Sequence, residues 1–349
     1  MRFLKIFIGF ILFLLILLIG FYFWAKKSIY PSDEYNSTTV FSKSSVPNLV
    51  DTFSLLTYNI GYLSGMTNNL PVERSPALFT NNLKKFTQLL QNLHPNIVSF
   101  QEIDFNSSRS FYVNQYQRIA KLSSFYNGAK AINWDKQYVP FPYWPIQYHF
   151  KEMLSGQAVL TNFPILNSKR IVLPKPKNNP FYYNDFYLDR LAQLVWLQTK
   201  KDSILIINVH LEAWDAGTRE IQAHIIMDLF NQYEREYPVM LVGDFNTIPL
   251  YDKQADTEKT LQIIMKQTNI ASAISKAQYL ANPEGYYTFD SRKPYQKIDY
   301  ILYSPRHLSC IDARRVTEAG EISDHLPLFA HFVLKAEPKD SAMKVVNYR

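Results

Sequence analysis

Carboxylate, amide and imidazole side chains recur in this sequence directly after apolar, strand-like runs. Rigid strands fix the side chains at their ends, so such positions are where catalytic sites are usually built. Together these residue types can bind a divalent cation, hold a water and move protons at a phosphate ester. In chain order the residues are Asn59 in LLTYNIG, Glu102 in IVSFQEID, His210 in IINVHLEA, Asp244 and Asn246 in VMLVGDFNT, Asp299 in KIDYIL, and Asp324 and His325 in ISDHLPL.

The chemistry that these groups suit best is phosphoester hydrolysis. Anionic phosphate oxygens repel a nucleophile, so a site must neutralise their charge, position a water and stabilise the leaving oxygen. Glu102 can give a hard divalent cation an oxygen ligand, and Asn59 can orient that carboxylate or add an amide oxygen. Asp244 and Asn246 are two residues apart, so in an extended segment they point to the same side and can align a water, a metal or a phosphoryl oxygen.

Asp324 and His325 are adjacent, and neighbours in an extended chain diverge, so we expect them to have different roles. Asp324 would face the metal or the water, and His325 the scissile phosphate. Asp299 is a suitable partner for the other imidazole nitrogen, which fixes the tautomer. His210 ends the strand-like run ILIINV and could hydrogen-bond a phosphate oxygen. Any one of these residues alone would more often be structural, and the combination favours catalysis.

The composition excludes several other classes of protein. The chain has 349 residues, of which 47% are apolar, so a full core is available. It contains no GxxxxGK(S/T) and no GxGxxG segment, which argues against a nucleoside-triphosphate or dinucleotide site. The net charge of +7 favours phosphates or an anionic membrane surface, and simple solubility explains it equally well. The single cysteine, Cys310, excludes an intrachain disulfide and a cysteine-based zinc site, and we interpret it as a buried thiol.

Ile6 to Trp24 is an unbroken apolar run. Its length is about the roughly 20 residues that cross a bilayer, and basic residues flank it on both sides. A cleaved signal peptide would have a shorter apolar region and small residues before the cleavage site, where this chain has Phe-Tyr-Phe-Trp. We therefore predict an uncleaved single-pass membrane anchor, with the amino end in the cytoplasm and the catalytic domain outside it.

Periodicity divides the remaining chain into elements. Helical spacing of apolar residues predicts helices at Phe79–Leu93, Arg219–Tyr233 and Leu261–Ile274. The segments Tyr112–Leu154 and Leu173–Leu188 show neither period, and loops of this length are usually functional or mobile. The aromatic residues of the first form either a wall facing substrate or membrane, or a packed excursion. The predicted strands are Ser54–Tyr58, Ile97–Phe100, Ala158–Leu160, Leu191–Leu197, Ile204–Val209, Val239–Val242, Ile298–Tyr303 and Leu326–Leu334.

The predicted organisation has one catalytic domain. Residues 1–27 form the anchor, 28–50 a polar linker, 51–335 the catalytic domain and 336–349 a polar tail. No internal repeat and no linker divides residues 51–335.

The ordered set TYN, QE, NVHL, GDFN, IDYIL and SDH resembles the endonuclease/exonuclease/phosphatase superfamily, also called DNase I-like. The resemblance covers about residues 52–335, including GQAVLTNFPI and the Arg190-bearing segment YLDRLAQLV. It implies an α/β (α+β) fold, a four-layer α-β-β-α sandwich of two mainly antiparallel sheets with helices outside. It also implies a requirement for Mg²⁺ or Mn²⁺. The metal residues that it implies are Asn59, Glu102 and Asp324, and the catalytic residues are His210, Asp244, Asn246, Asp299 and His325.

At two positions the sequence differs from the pattern of one branch of the superfamily, the abasic-site endonucleases. Abasic-site endonucleases typically carry an acidic residue where this chain has Gly61, and they lack a histidine corresponding to His210. Both departures favour the DNase, phosphatase or sphingomyelinase branches.

We predict a metal-dependent phosphodiesterase tethered to a membrane, with a lipid head group or nucleic acid as substrate. The alternatives are an extracytoplasmic DNase-like nuclease, an inositol-phosphate-type phosphatase, and a catalytically silent tethered binding module. The sequence indicates no obligate protein partner.

Overall fold

Two β-sheets packed face to face form the centre of the molecule, with helices on their outer faces. The computed structural model describes residues 2–42, 51–200, 203–253, 255 and 259–335. The predicted four-layer α-β-β-α sandwich is confirmed. The predicted tail at 336–349 lies outside the described residues, as does part of the predicted linker, 43–50.

The first sheet contains β1 (Asn36–Val40), β2 (Thr52–Asn59), β3 (Ile97–Asp104), β4 (Asn127–Val139), β5 (Lys151–Thr161), β12 (Leu308–Arg315) and β13 (Leu328–Leu334). Their order across the sheet is β1-β4-β5-β3-β2-β13-β12. β2 and β3 are parallel, and the other neighbours in this sheet are antiparallel.

The second sheet contains β6 (Ile165–Leu173), β7 (Arg190–Gln198), β8 (Ser203–His210), β9 (Val239–Asp244), β10 (Ala271–Ser272) and β11 (Asp299–Tyr303). Their order is β10-β11-β9-β8-β7-β6, and β8 and β9 are its parallel pair. Both sheets are therefore mainly antiparallel, as predicted.

The described helices are α1 (Arg2–Ala25), α2 (Pro76–Leu93), α3 (Gln115–Leu122), α4 (Phe181–Phe186), α5 (Ala216–Tyr233), α6 (Thr260–Met265) and α7 (Lys276–Ala281). α2 starts sharply because the Ser75 side chain accepts a hydrogen bond from the amide of Leu78 and Pro76 occupies the first helical position. α2 and α3 pack on the first sheet, and α5 and α6 pack on the second.

The alternation of side chains along each strand explains how the first sheet packs against helices on one face and against the second sheet on the other. In β2, Leu55 faces the second sheet and Leu56 faces α2, because successive side chains point to opposite faces. Close to the ends of β3 and β8, the apolar centre gives way to a buried polar network. Gln101 donates to the Asn208 side chain at 2.7 Å, and Asn208 donates to Gln193 at 3.0 Å. These bonds tie the two sheets together directly beneath the polar residues at the strand ends.

The carboxyl ends of the parallel strands lie at one end of the sandwich, which we call the upper edge. Asn59 ends β2 and Asp244 ends β9, and their side chains are hydrogen-bonded at 2.9 Å, so the ends of the two sheets coincide. β4 also ends at this edge, because β3 and β4 are both antiparallel to β5.

α1 is long and apolar enough to cross a membrane, by length and composition. Its side chains are mostly exposed, and Ala25 in its last turn is fully buried against the domain. The chain after α1 then runs alongside β4. The Gln137 amide donates to the Lys27 carbonyl at 2.8 Å, and Asp135 accepts the amides of Ile29 and Tyr30 at 2.9 Å each.

The segment after α1 departs from its predicted form. Asn36–Val40, placed in the polar linker, is the edge strand β1 and pairs with β4. Its residues, NSTTV, carry little hydrophobic signal because the strand is only partly buried.

Three other sequence-based assignments differ from the structure. The helix predicted at Leu261–Ile274 ends at Met265, and β10 follows it, because the intervening Thr268 and Asn269 are poor helix formers. The segment Tyr112–Leu154, predicted as irregular, contains α3, β4 and the start of β5. Cys310, predicted to be buried, is half-buried.

Candidate active site

An imidazole held between two carboxylates forms the centre of the site. β9 and β11 are antiparallel with Asp299 directly opposite Asp244, so the end of one strand and the start of the other supply the two carboxylates. His325 Nδ1 donates to Asp299 Oδ2 at 2.9 Å, and His325 Nε2 lies 3.7 Å from Asp244 Oδ2. Burial lowers the pKa of His325, but the charges of Asp299 and Asp244 outweigh it and raise the pKa well above its usual value. His325 is therefore a buried cation at neutral pH.

Asp244 has the properties of a base that works near neutrality. Burial raises its pKa to about 7, against the opposing effect of the His325 charge. Its Oδ2 accepts the Asn59 amide at 2.9 Å, and its Oδ1 accepts the Asn246 backbone amide at 2.9 Å. A carboxylate with a pKa near the working pH is suited to remove a proton from water.

The backbone around Asp244 has little freedom to vary. A Cβ on Gly243 would lie 2.0 Å from the Val209 carbonyl oxygen, so the strand requires glycine there. Asn246 adopts φ 50°, a left-handed conformation that asparagine tolerates. The Asn246 side chain donates to the Leu211 carbonyl at 3.0 Å, which fixes this turn beside the end of β8.

His210 reaches the same centre from β8. It is buried, with Nε2 3.5 Å from Asp244 Oδ2 and 3.9 Å from Glu102 Oε1. Burial, together with the charges of Arg190 and His325, lowers the pKa of His210 well below its usual value. His210 is thus neutral beside a cationic His325, so it can form a hydrogen bond to a phosphoryl oxygen without adding charge.

Glu102 and Asp324 form a second, more exposed group. Asn68 Nδ2 donates to Glu102 Oε2 at 2.9 Å and lies 3.4 Å from both oxygens of Asp324. Burial and the Asp324 charge raise the pKa of Glu102. Two carboxylates that share one amide donor keep an excess of negative charge, which a hard divalent cation with oxygen ligands would neutralise. The pair thus fits Mg²⁺ or Mn²⁺.

Other atoms could also coordinate a metal. Potential ligand atoms of Asp244, Asp299 and His325 all lie within 4.8 Å of one another. The imidazole of this group is already bonded to Asp299 and is cationic, and a cationic imidazole does not ligate a metal. Glu102 and Asp324 are therefore the better fit.

The structure brings all eight predicted residues to the upper edge, but it places Asn59 differently from the simplest expectation. Asn59 Oδ1 accepts the Gly61 amide at 3.1 Å while its amino group donates to Asp244. Asn59 thus orients Asp244, and its predicted role at the metal stays a prediction. Sequence reasoning missed Asn68, which lies in the loop after β2 where no apolar pattern marks its position.

Replacing Asn68 by alanine should weaken metal use and leave the fold intact. Its amide is the group that orients both carboxylates, and losing such a partner typically costs about 10- to 100-fold in metal affinity. We expect the Mg²⁺ concentration for half-maximal activity to rise by about tenfold, with little change in kcat at saturating Mg²⁺. A metal titration of the variant measures this, and Asn92→Ala on the far side of α2 is the control. An unchanged titration would exclude a supporting role for Asn68.

Comparison with known proteins agrees with this geometry. Residues 56–325 match the model of the Endonuclease/Exonuclease/phosphatase family. No curated protein matches the chain by sequence. Among solved structures, the chain is similar to an endonuclease/exonuclease/phosphatase from Beutenbergia cavernae, at 16% identity and TM-score 0.59, covering 82% of this chain and 73% of that one.

Two further solved structures are similar. The human Nocturnin catalytic domain with a bound sulfate anion has 17% identity and TM-score 0.53, covering 88% of this chain and 100% of that one. A mannosyl-6-phosphatase from Bacteroides thetaiotaomicron has 15% identity and TM-score 0.55, covering 80% and 99%. Likenesses at this level of identity establish a shared fold.

The family match spans most of the chain, and the resemblance in the ordered motifs is thereby confirmed. The chain belongs to the endonuclease/exonuclease/phosphatase family and is a hydrolase of phosphoester bonds.

Proposed function

We propose that this protein is a membrane-tethered, Mg²⁺- or Mn²⁺-dependent phosphodiesterase. The observation that carries the proposal is the array in which Asp299 holds His325 as a cation, 3.7 Å from the near-neutral base Asp244. Such an array supplies a proton acceptor and a positive charge next to each other, where a water and a phosphoryl oxygen can be bound together.

The charge of the site supports a diester rather than a monoester substrate. Four carboxylates, Glu102, Asp244, Asp299 and Asp324, lie around the cationic His325, and the charges of Arg190 and Arg109 act on the group from its margin. A monoester dianion would add two negative charges to this group, and a diester adds one. Because of this surplus of carboxylates, we expect the site to bind a diester monoanion more readily than a monoester dianion.

Each residue has a defined task in hydrolysis. Asp244 takes the proton of the attacking water as that oxygen bonds to phosphorus and the bond to the leaving oxygen breaks, and the proton then passes from Asp244 to the departing oxygen or to solvent. Asn59 and the Asn246 amide fix the orientation of Asp244. His325, oriented by Asp299, stabilises the charge that develops on the phosphoryl oxygens, and the neutral His210 adds a hydrogen bond there.

Glu102 and Asp324 would hold the cation, which when bound polarises a phosphoryl oxygen and offsets negative charge.

The membrane tether rests on α1. Within α1, Tyr22 hydrogen-bonds Asp185, and the ring centroids of Phe21 and Tyr138 are 5.5 Å apart. Cleavage within this helix would remove these contacts from the domain, which supports an uncleaved anchor. In this proposal α1 crosses the membrane once, with the catalytic domain outside the cytoplasm.

The rate should depend on pH through Asp244. The base must be ionised, so kcat/KM should fall about tenfold per pH unit below the Asp244 pKa of about 7. A bound cation favours the ionised carboxylate, so raising Mg²⁺ should move this limb to lower pH. Initial rates at several Mg²⁺ concentrations measure both effects. A rate independent of pH from about pH 5 to pH 8 would contradict a base with this pKa.

The proposed activity is tested with the full chain in detergent micelles and Mg²⁺. The substrates are bis(4-nitrophenyl) phosphate, 4-nitrophenyl phosphate, plasmid DNA, sphingomyelin and phosphoinositides, with Asp244→Asn as the negative control. We expect diesters to be cleaved at least tenfold faster than monoesters. Faster monoester cleavage would indicate a phosphatase, and no cleavage by a folded, Mg²⁺-binding protein would indicate a binding module.

A further inference from the structure

We propose that the upper edge of the sandwich is a bilayer-docking surface, so that the active site opens onto the membrane itself. The proposal rests on the tether proposed above and adds the direction that the catalytic domain faces. Its basis is the place where α1 leaves the domain and the distribution of exposed aromatic side chains.

The topology places α1 at the catalytic end of the molecule. The chain after α1 runs antiparallel to β4, from Lys27 beside Gln137 to Val40 opposite Asn127. α1 therefore emerges beside the carboxyl end of β4, which lies at the upper edge together with Glu102 and Asp244. A helix inserted in a bilayer from this point keeps the upper edge next to the membrane.

Contacts with two loops of the upper edge fix this arrangement. Tyr22 hydrogen-bonds Asp185 and packs edge-on against Phe181 and Phe186. These three partners belong to α4, in the loop that connects β6 to β7. Trp24 packs against Tyr138 near the end of β4, with ring centroids 6.1 Å apart. The last turn of α1 is thus part of the upper edge.

Beyond α1, the strongly exposed aromatic side chains of the described residues lie at the same edge. Outside α1, the described residues include eight large aromatic side chains that are strongly exposed, and all of them lie in loops that leave or enter strands at the upper edge. The most exposed are Trp214 at 84%, Trp144 at 75% and Phe181 at 73%. The full set, which we call the aromatic rim, is Phe111, Tyr112, Tyr143, Trp144, Phe181, Tyr182, Trp214 and Tyr295.

The rim suits a lipid surface better than a protein partner. Its members come from five separate loops around the active site, so together they surround the site instead of forming one groove. Aromatic rings of this kind are typical of the head-group level of a bilayer, the level at which the aromatic cluster ending α1 would also lie.

A basic pocket of about 410 Å³ adds an electrostatic attraction at the same edge. Its basic lining residues are Arg74 and Lys151 and its acidic one is Glu73, whereas Arg109 also lines it but is buried and paired with Asp104 at 2.9 Å. Basic groups next to exposed aromatic rings match the phosphates and glycerol region of a lipid surface. The substrate class that follows is a phosphodiester in a lipid head group.

The depth of nitroxide labels in the bilayer tests the docking without any measurement of activity. Ile146 and Leu166 are 58% and 57% exposed, but Ile146 lies between β4 and β5 at the upper edge and Leu166 lies near the opposite end of β6. In the full chain carrying Cys310→Ser, Ile146→Cys or Leu166→Cys receives a nitroxide label, and the protein is reconstituted in phosphatidylcholine vesicles. We expect oxygen, which concentrates in lipid, to speed the spin relaxation of the label at position 146. An aqueous nickel complex should speed the spin relaxation of the label at position 166. Equal access of the nickel complex to both labels would overturn the proposal.

Activity provides a second test. In the double variant Trp144→Ser/Phe181→Ser, hydrolysis of sphingomyelin or phosphatidylcholine in vesicles should fall about tenfold, because the rim contributes apolar contact with the bilayer. Hydrolysis of soluble bis(4-nitrophenyl) phosphate should not change, and Leu166→Ser should change neither rate. An equal loss on both substrates would assign these side chains to the active site, and no loss on either would remove their docking role.

The same assays separate the two proposals. If the wild-type protein cleaves neither diester, the proposed function fails, and the nitroxide measurement still decides the docking. If vesicle-bound protein cuts plasmid DNA as fast as protein in detergent, the site is open to water and the docking proposal fails.

Discussion

Asp244→Asn is expected to lower kcat/KM by about 10³-fold, the largest effect among single substitutions in this protein. Asparagine keeps the shape of the side chain, but it has one acceptor oxygen where Asp244 uses two, for Asn59 and the Asn246 amide, and it cannot accept a proton from water. Initial rates with bis(4-nitrophenyl) phosphate at saturating Mg²⁺ measure the loss. The matched control is Glu318→Gln, an exposed carboxylate whose ion-pair partner is Arg314 and not a residue of the site, which should retain full activity.

Thermal unfolding separates this catalytic loss from damage to the fold. Burial raises the pKa of Asp244 from an ordinary value of 3.8 to about 7, so the ionised carboxylate destabilises the folded protein above that pH. The stability lost grows as pH rises from the unfolded-state pKa to the folded-state pKa. At pH 8 we therefore expect Asp244→Asn to unfold at the same or a higher temperature than the wild type. A large decrease in the unfolding temperature would mean that the activity loss reflects misfolding.

Removal of divalent metal is expected to abolish turnover, by at least about a hundredfold, and Mg²⁺ or Mn²⁺ should restore it. The reason is that the carboxylates of Glu102 and Asp324 share one neutral donor, the Asn68 amide, which does not compensate their negative charge. Activity in excess EDTA, followed by readdition of each metal, measures the effect. Full activity in the chelator would exclude a catalytic cation.

Metal binding should also be visible without turnover. Because the cation relieves repulsion between Glu102 and Asp324, Mg²⁺ should raise the unfolding temperature of the wild type. In Glu102→Gln this shift should become smaller, since one ligand charge is lost. An equal shift in both proteins would place the cation elsewhere.

The candidate site could be predicted from sequence because its residues share a simple local pattern. Each of Asn59, Glu102, His210 and Asp244 follows a strongly apolar strand, so the hydrophobic run marks both the strand and its end. Their convergence followed from the order of motifs, which identified the family. Asn68 could not be found this way, because its position depends on the path of a loop and not on any periodicity.

The fold was less predictable where polar residues are buried. β4 carries Asn133 and Asp135, which are 7% and 5% exposed and interrupt its apolar alternation. Asp135 is buried because it accepts the Ile29 and Tyr30 amides and the Tyr35 hydroxyl. Its partners lie about one hundred residues away in sequence, so no local pattern reveals them.

The hydrogen bonds of Asp135 have a kinetic consequence. They leave little free chain between α1 and the sandwich, so the domain cannot swing away from the helix. With α1 in a bilayer, as proposed above, an enzyme without a flexible stalk would sample substrate in two dimensions, by lateral diffusion. Its rate in vesicles should then follow the mole fraction of substrate lipid within each bilayer, and diluting the vesicle suspension in buffer should leave the turnover per enzyme molecule unchanged.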